Sequence, residues 1–511
     1  MTFTDRKGQV TTFQYDALNR RTQATYADAT TTFTYDTVGR LTKASDTAPG
    51  AGTTDFAYDT LNRLVQEVTG QGSVNYQYDV LGRRTQMVAN GQQPVTYGYD
   101  TASRLTQVAQ GSLAVGLGYD NANRRTSLTY PNGTSASYGY DVASRLTNIN
   151  HIGPSGIIEA LTYQYDAAGN RTSLTRNNGT ASLLTSAVAS ATYDAANEQT
   201  AFAGSTFQYD ANGNLMNDGT NTYVWDSRNR LVGISGVATA TFKYDPLGRR
   251  VEKSIGSVVS QFSYDGNDIA AEIGGGTVGA NYLRSLNIDE PFIRQTSTGN
   301  EYYHTDALGS SLALSNAQGA SATTYTYEPF GKTTITGISI NPFQYTGREN
   351  DGTGLFYYRA RHYHPRQQRF IAEDPLEYGN GDFNLYAYVG NNPVRYADPF
   401  GLEKSGNCPS FGSRYLDHIL TYTIDLGPYA AALGGGLWPK SWAPATGGRG
   451  PFLGSTNPLT SVPRALGIPG ASTAAAQTSA AAIGIATVGI GFYNIGVFSS
   501  GLFYAIPSSC E

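Results

Sequence analysis

Two aspartates near the end of a long repetitive stretch have the residue type and spacing for chemistry. Asp374 in Ala-Glu-Asp-Pro and Asp398 in Tyr-Ala-Asp-Pro-Phe-Gly-Leu lie 24 residues apart, and Arg361 stands thirteen residues before the first. Two carboxylates held side by side share a proton, so that one activates water while the other protonates a leaving group. That is aspartyl peptidase chemistry. An arginine beside the pair would hold one carboxylate ionised or stabilise the oxyanion of a tetrahedral intermediate. The chain lacks the Asp-Ser/Thr-Gly loop of pepsin-like enzymes, and a plainer reading stays open: Asp-Pro is a common turn start, and Arg361 has Glu373 as an alternative partner. His304, His362 and His364 raise the question of a metal. On a strand, His362 and His364 would share one face, but no further histidine or cysteine neighbours them, so a structural role is expected and no metal or cofactor. His304, in Tyr-Tyr-His-Thr-Asp, reads as a turn residue.

The elements that must position these groups are written in the repeats. A Tyr-Asp pair recurs at Tyr15, Tyr35, Tyr58, Tyr78, Tyr99, Tyr119, Tyr140, Tyr165, Tyr193, Tyr209, Tyr244 and Tyr264, with Trp225-Asp226 filling one gap, and most steps are 19 to 21 residues. That step fits two strands of roughly five to seven residues plus two connections. Phe13-Gln14-Tyr15 and Tyr76-Gln77-Tyr78 alternate with period two before the Asp, which places aromatics on one face. After the Asp, Gly or Asn three positions on (Asn19, Gly39, Gly82) suits a type I turn with a bulge, the Asp accepting from backbone amides ahead of it. The next residue is Arg (Arg20, Arg40, Arg63, Arg83, Arg104, Arg124, Arg145), placed to bridge acceptors in the neighbouring hairpin. Residues that return in every unit are read as scaffold rather than ligand contacts, because a single hairpin cannot bury its own face and must stack on the next.

From Tyr302 the chain carries an ordered set of motifs: Tyr302-Tyr-His-Thr-Asp-Ala-Leu-Gly-Ser310, Tyr327-Glu-Pro-Phe-Gly331, Asn341-Pro-Phe-Gln-Tyr-Thr-Gly347, Gly354 to Pro365, Arg369-Phe-Ile-Ala-Glu-Asp-Pro375, Asn384 to Tyr388, Asn391-Asn-Pro393 and Asp398-Pro-Phe-Gly-Leu402. With the repeats, these resemble the Rhs/YD-repeat family and its repeat-associated core over residues 1–402, roughly four-fifths of the chain. Toxin-complex C subunits, bacterial polymorphic toxins and the teneurin shell are relatives in that family. The resemblance implies an all-β fold in which hairpins stack in a spiralling sheet, forming all or part of a hollow shell around a variable C-terminal polypeptide. It also implies self-cleavage once, in cis, by Asp374 and Asp398 with Arg361 assisting, the cut falling between Leu402 and Glu403. Gln367-Gln368 departs from the family, many of whose members have Gly there, which weakens a turn and not the chemistry.

This gives three expected divisions: repeats over 1–300, the associated core over 301–402, and a variable segment of unknown fold over 403–511. The first repeat begins within fifteen residues of Met1, so a B-type partner chain or a missing N-terminal region is expected to cover the first strand edge. The N-terminal residues include Asp5, Arg6 and Lys7 and lack an apolar run, so no secretory signal is read there, although the resemblance implies secretion or a cell-surface location. A formal net charge of -5 without a basic block argues against nucleic acid as a partner. In the last segment charges thin to nine in 109 residues, and 481–506 is apolar and long enough to cross a bilayer as a helix. A membrane-active passenger, a segment simply enclosed by the shell, and a toxin enzyme are the competing readings; for the last, His418 beside Asp417 is the sole histidine. Cys408 and Cys510, the two cysteines, leave one bridge open. The alternative of a different class is a non-enzymatic secreted or cell-surface scaffold whose repeats bind carbohydrate or a partner protein.

Overall fold

The computed structural model describes residues 1–178, 190–377 and 382–402. Seventeen strands, from Thr2–Thr4 to Arg171–Arg176, form one antiparallel sheet in which each strand pairs with the next in sequence. Fourteen more, from Gln208–Tyr209 to Thr333–Thr336, form a second sheet built the same way. A three-stranded piece (Ala191–Tyr193, Gln199–Phe202, Ser205–Thr206) lies between them in sequence. A four-stranded sheet (Glu349–Asn350, Phe356–Tyr358, Arg361–His364, Arg369–Phe370) follows. The fold is all-β, as the repeats require.

Within a repeat the local chemistry is uniform. In Val10–Tyr15 the buried residues are Thr11 and Phe13, and in Gly72–Tyr78 they are Val74 and Tyr76, the period-two pattern of a sheet with one covered face. Asp16 Oδ1 accepts from the amides of Leu18 at 2.9 Å and Arg20 at 3.0 Å, while Asn19 takes the left-handed conformation at φ 58°. The pairing register shifts between Gln14 and Tyr15, which is the bulge that this turn demands. Gly39 and Gly82 occupy the same left-handed place, and so do Ser103 and Ser144, where a non-glycine residue is tolerated rather than favoured.

Arginine and tyrosine then tie each hairpin to the next. Arg20 Nε donates to its own Asp16 at 2.6 Å, its Nη1 donates to the carbonyl of Asp36, and its guanidinium lies 4.7 Å from the centre of the Tyr35 ring. Tyr35 answers by donating its hydroxyl back to the Arg21 carbonyl at 3.0 Å. The same set recurs with Arg40, Asp59 and Tyr58, and with Arg63, Asp79 and Tyr78.

The second sheet rests its turn ends on the first. Leu247, at the tip of the Asp245 turn, packs among Phe33, Leu41, Ala44 and Phe56. Arg249 pairs with Glu67, Arg228 with Asp46, and the Ser227 amide donates to Asp28 at 2.9 Å. Leu61 occupies the same turn position in the first sheet, yet it is 67% exposed where Leu247 is 3% exposed. One motif therefore serves as rim in one layer and as anchor in the next. Leu247→Ala should cost about 2–5 kcal/mol of stability, the usual range for a truncated buried leucine. Leu61→Ala should stay within about 0.5 kcal/mol, as exposed positions do. Urea unfolding midpoints of the two variants check the contrast, and equal losses would contradict this layering.

Candidate functional site

The site grows from the four-stranded sheet. Arg361 opens the strand Arg361–His364, opposite Tyr358 across a tight turn, so the rigid ladder fixes its Cα. Its guanidinium lies 3.7 Å from the centre of the Phe370 ring on the neighbouring strand, an aromatic floor that keeps the fork flat. Nη1 donates to the Leu385 carbonyl at 2.9 Å and Nε to the Gly401 carbonyl. That leaves Nη2, which faces both aspartates: Asp374 Oδ2 at 3.0 Å and Asp398 Oδ2 at 3.6 Å. The spacing of 24 residues has closed onto one nitrogen. All three side chains are buried, and burial pulls the Arg361 guanidinium below its ordinary value in spite of the two carboxylates that favour its charge. Glu373, the alternative partner in the plainer reading, turns away to Arg6 at the other end of the sequence.

Each aspartate also sets its own turn. Asp374 Oδ1 accepts from the Leu376 amide at 2.9 Å, and Asp398 Oδ1 accepts from the Leu402 amide at 3.0 Å. The carboxylate of Asp398 thus holds the nitrogen of the residue expected to precede the cut. The segment 398–402 is clamped from three sides. The Ala360 amide donates to the Phe400 carbonyl at 3.1 Å, Arg359 donates to the Pro399 carbonyl, and Arg361 holds Gly401. Arg359 is itself fixed by Asp268 at 3.0 Å and Asp289 at 2.8 Å, residues of the second large sheet and its connection. Gly401 has φ +69°, and a Cβ built there would lie 2.3 Å from the Tyr358 carbonyl, so both conformation and space require glycine. Glu403, on the far side of the expected cut, lies outside the described residues, as do Cys408, Cys510, His418 and the apolar stretch 481–506. No helix among the described residues is long and apolar enough to cross a membrane, a statement that does not extend to strands.

The histidines are structural in their surroundings. His362 packs between Phe242 and Tyr357, with ring centres 5.3 and 5.2 Å away, and burial pushes it down to about 3. His364 Nδ1 accepts from the Gln367 amide at 3.2 Å and burial pushes it down to about 4. Gln368 closes that turn with φ 60°, a conformation that glycine takes at less cost. His304 is not a turn residue. The Tyr-Tyr-His-Thr run continues the strand Gly299–Thr305, and the turn begins only at Asp306, so His304 is buried inside the fold.

The teneurin YD-shell family profile matches residues 1–130, 62–156 and 119–394, most of the chain. The chain belongs to the teneurin YD-shell family. Among similar proteins, the tRNA3(Ser)-specific nuclease WapA of Bacillus spizizenii is 31% identical over 242 residues, 42% of this chain and 10% of that protein. The double-stranded DNA deaminase toxin A of Burkholderia cenocepacia is 28% identical over 244 residues, 39% of this chain and 17% of that protein. The YD-shell chain thus spans a small part of the length of either relative. In fold it matches the Photorhabdus luminescens Tc holotoxin pore with a TM-score of 0.57 at 17% identity, over 78% of this chain and 27% of that one.

Gly401→Ala should detach the segment 398–402 from the YD-shell core. Exchange of the Ala360 amide, which donates to Phe400, should quicken by more than about fivefold as this local contact opens. Hydrogen exchange by mass spectrometry over 356–364 reads it, and unchanged protection would mean that glycine is not required there.

Proposed function

We propose that the chain is the wall of a YD-type shell that encloses its own C-terminal segment and frees it by a single intramolecular aspartyl cleavage after Leu402. The observation that carries the reading is the convergence of Asp374 and Asp398 on one Arg361 nitrogen, with Asp398 also holding the Leu402 amide. Two carboxylates drawn onto one nitrogen are the arrangement in which a pair shares one proton. In this reading Asp374, which makes the shorter contact with Arg361, acts as the base. It takes a proton from water, whose oxygen attacks the Leu402 carbonyl carbon. Asp398 gives its proton to the Glu403 nitrogen as the C–N bond breaks, and Arg361 remains cationic beside the developing oxyanion. The products are a Leu402 carboxylate and a new amine at Glu403.

The proposed passenger is the segment 403–511, outside the described residues. Several relatives carry names of nucleases and deaminases, which supports toxin delivery as the setting and a secreted or surface-delivered route. A partner is part of the reading. The first sheet presents uncharged tips at Leu18, Val38, Leu61 and Val80, all exposed, at the end of the repeat by which the second sheet rests on the first. A further layer of the same ribbon, from a B-type partner chain or from polypeptide preceding this one, is the proposed cover. The scaffold alternative is less well supported, since the Tyr, Asp and Arg of the repeats are occupied by one another.

Expression of the full chain should give a fragment of about 109 residues with Glu403 at its N-terminus. Asp374→Asn and Asp398→Asn should each slow its appearance by at least about a hundredfold, within the usual contribution of a general acid or base. An uncut wild-type chain would overturn the proposal, and cutting that survives both substitutions would overturn the assignment of residues.

A further inference from the structure

The contact between the two large sheets contains one place where two imidazoles face each other. His151, in the strand Leu146–Gly153, and His304, in Gly299–Thr305, are both buried, with Nδ1 to Nδ1 at 3.4 Å and the rings at 74°. Their partners fix where the protons are. The Thr305 carbonyl can only accept, so His151 Nε2 carries a hydrogen and donates to it at 2.9 Å, which makes His151 Nδ1 an acceptor. His304 then supplies the hydrogen from its own Nδ1, and its Nε2, 2.9 Å from the Ser315 hydroxyl, accepts from it. This chain of donors satisfies all four ring nitrogens, and it does so with both rings neutral. A first added proton creates a buried cation. A second sets two N–H donors against each other with no acceptor between them.

The surroundings offer no counter-charge among the described residues. Glu159, opposite His151 on the adjoining strand Gly156–Tyr165, is taken by Arg176 at 2.6 Å. Across the other neighbouring strand, Ser135–Tyr140, His151 faces Ala136, and His304 faces Ala313 on Ser311–Ser315. Asp306, just after the His304 strand, uses its carboxylate to cap the amides of Leu308 and Ser310 at 2.9 Å. Tyr130 meets the His304 ring edge-on at 5.8 Å and donates its hydroxyl to the Tyr303 carbonyl, while Asn132 donates to Ser315 at 3.0 Å. Burial pushes His151 down to about 4, and burial together with His151 pushes His304 well below its ordinary value. Asp306 runs the opposite way, its carboxyl raised by burial.

We infer that the His151–His304 pair is an acid-sensitive latch between the two layers, closed while both rings are neutral and weakened once the pair must take up protons. In the open state each histidine has its ordinary affinity near 6.5, whereas in the closed state His151 is pushed down to about 4 and His304 is held well below its ordinary value. The latch therefore holds fully above about pH 6.5 and is lost as pH falls toward 4. The latch stands on this geometry whether or not the chain cuts itself; together with the proposed release, it would open the wall in acid.

Hydrogen exchange of the full chain at pH 7.5 and pH 5.0, corrected for intrinsic rates, tests it. Peptides covering 130–153 and 302–316 should open at least about tenfold more readily at pH 5.0, the factor set by one histidine with this shift. Peptides around Asp46 and Arg228, an ion pair in the same contact whose carboxyl is held below its ordinary value, should change by less than about twofold. His362 and His364 also resist protonation, so the local readout is needed in place of a melting temperature. His304→Gln combined with His151→Asn should abolish the acid response of the two peptides. Should that variant fail to fold at pH 7.5 by circular dichroism, His304→Gln alone should reduce the response at least threefold. An acid response equal at the latch and at Asp46 in the wild type, or one undiminished in the variants, would overturn the inference.

Discussion

The wall depends on one repeated contact, the arginine that follows most of the Tyr-Asp turns. It ties its own aspartate, donates to the carbonyl of the next aspartate and covers the next tyrosine, whose hydroxyl reaches back. A half-exposed ion pair alone contributes little. Here the same guanidinium serves three partners in two hairpins, so each unit fixes the spacing and tilt of the next. In one stretch of the ribbon the arginine is missing. Asn170, Glu198 and Asn214 replace it in three consecutive units, and across those units the strands divide into the first sheet, the three-stranded piece and the second sheet. Arg230 resumes the contact over Tyr244 as the second sheet proceeds.

The layered wall in turn positions the site. Arg250, wholly buried, joins the second sheet to the four-stranded one through Glu349, Asp351 and the face of Tyr357 at 4.0 Å. Asp268 and Asp289 hold Arg359, and Arg359 holds Pro399. The segment bearing Asp398, the proposed acid, is therefore anchored to residues more than a hundred positions upstream and has little freedom to leave. A buried charged cluster of this kind is poor evidence of stability and better evidence of a place where protonation matters.

The hairpins were legible because their causes are local: alternation, an Asp that accepts from amides just ahead of it, and a left-handed residue three places on. The inter-hairpin role of the left-handed residue was not. Asn62 Oδ1 and Ser103 Oγ accept from the preceding arginines Arg40 and Arg83, at 2.9 and 3.2 Å, a contact between units that no single repeat displays. Nor could the motif reveal that Leu247 is buried and Leu61 exposed, since the two turns differ only in what lies over them. At the site, residue types and the family resemblance brought out Asp374, Asp398 and Arg361, and the fold brings these three together. The hold of Asp398 on the Leu402 amide and the clamp by Arg359 depend on packing between segments far apart in sequence. His304 was misread for a related reason: its strand is covered by a layer that arrives from residues 130–153.

The proposed chemistry is hydrolysis at Leu402 by the chain itself. Synthesis of the full chain in oxygen-18 water, followed by rapid peptide mass analysis, tests it most directly. The wild-type chain should give a peptide ending at Leu402 whose carboxylate carries heavy oxygen from water, and that peptide should be absent when Asp374 is replaced by Asn. A chain that stays intact through residue 403, or a terminus at another residue, would contradict it.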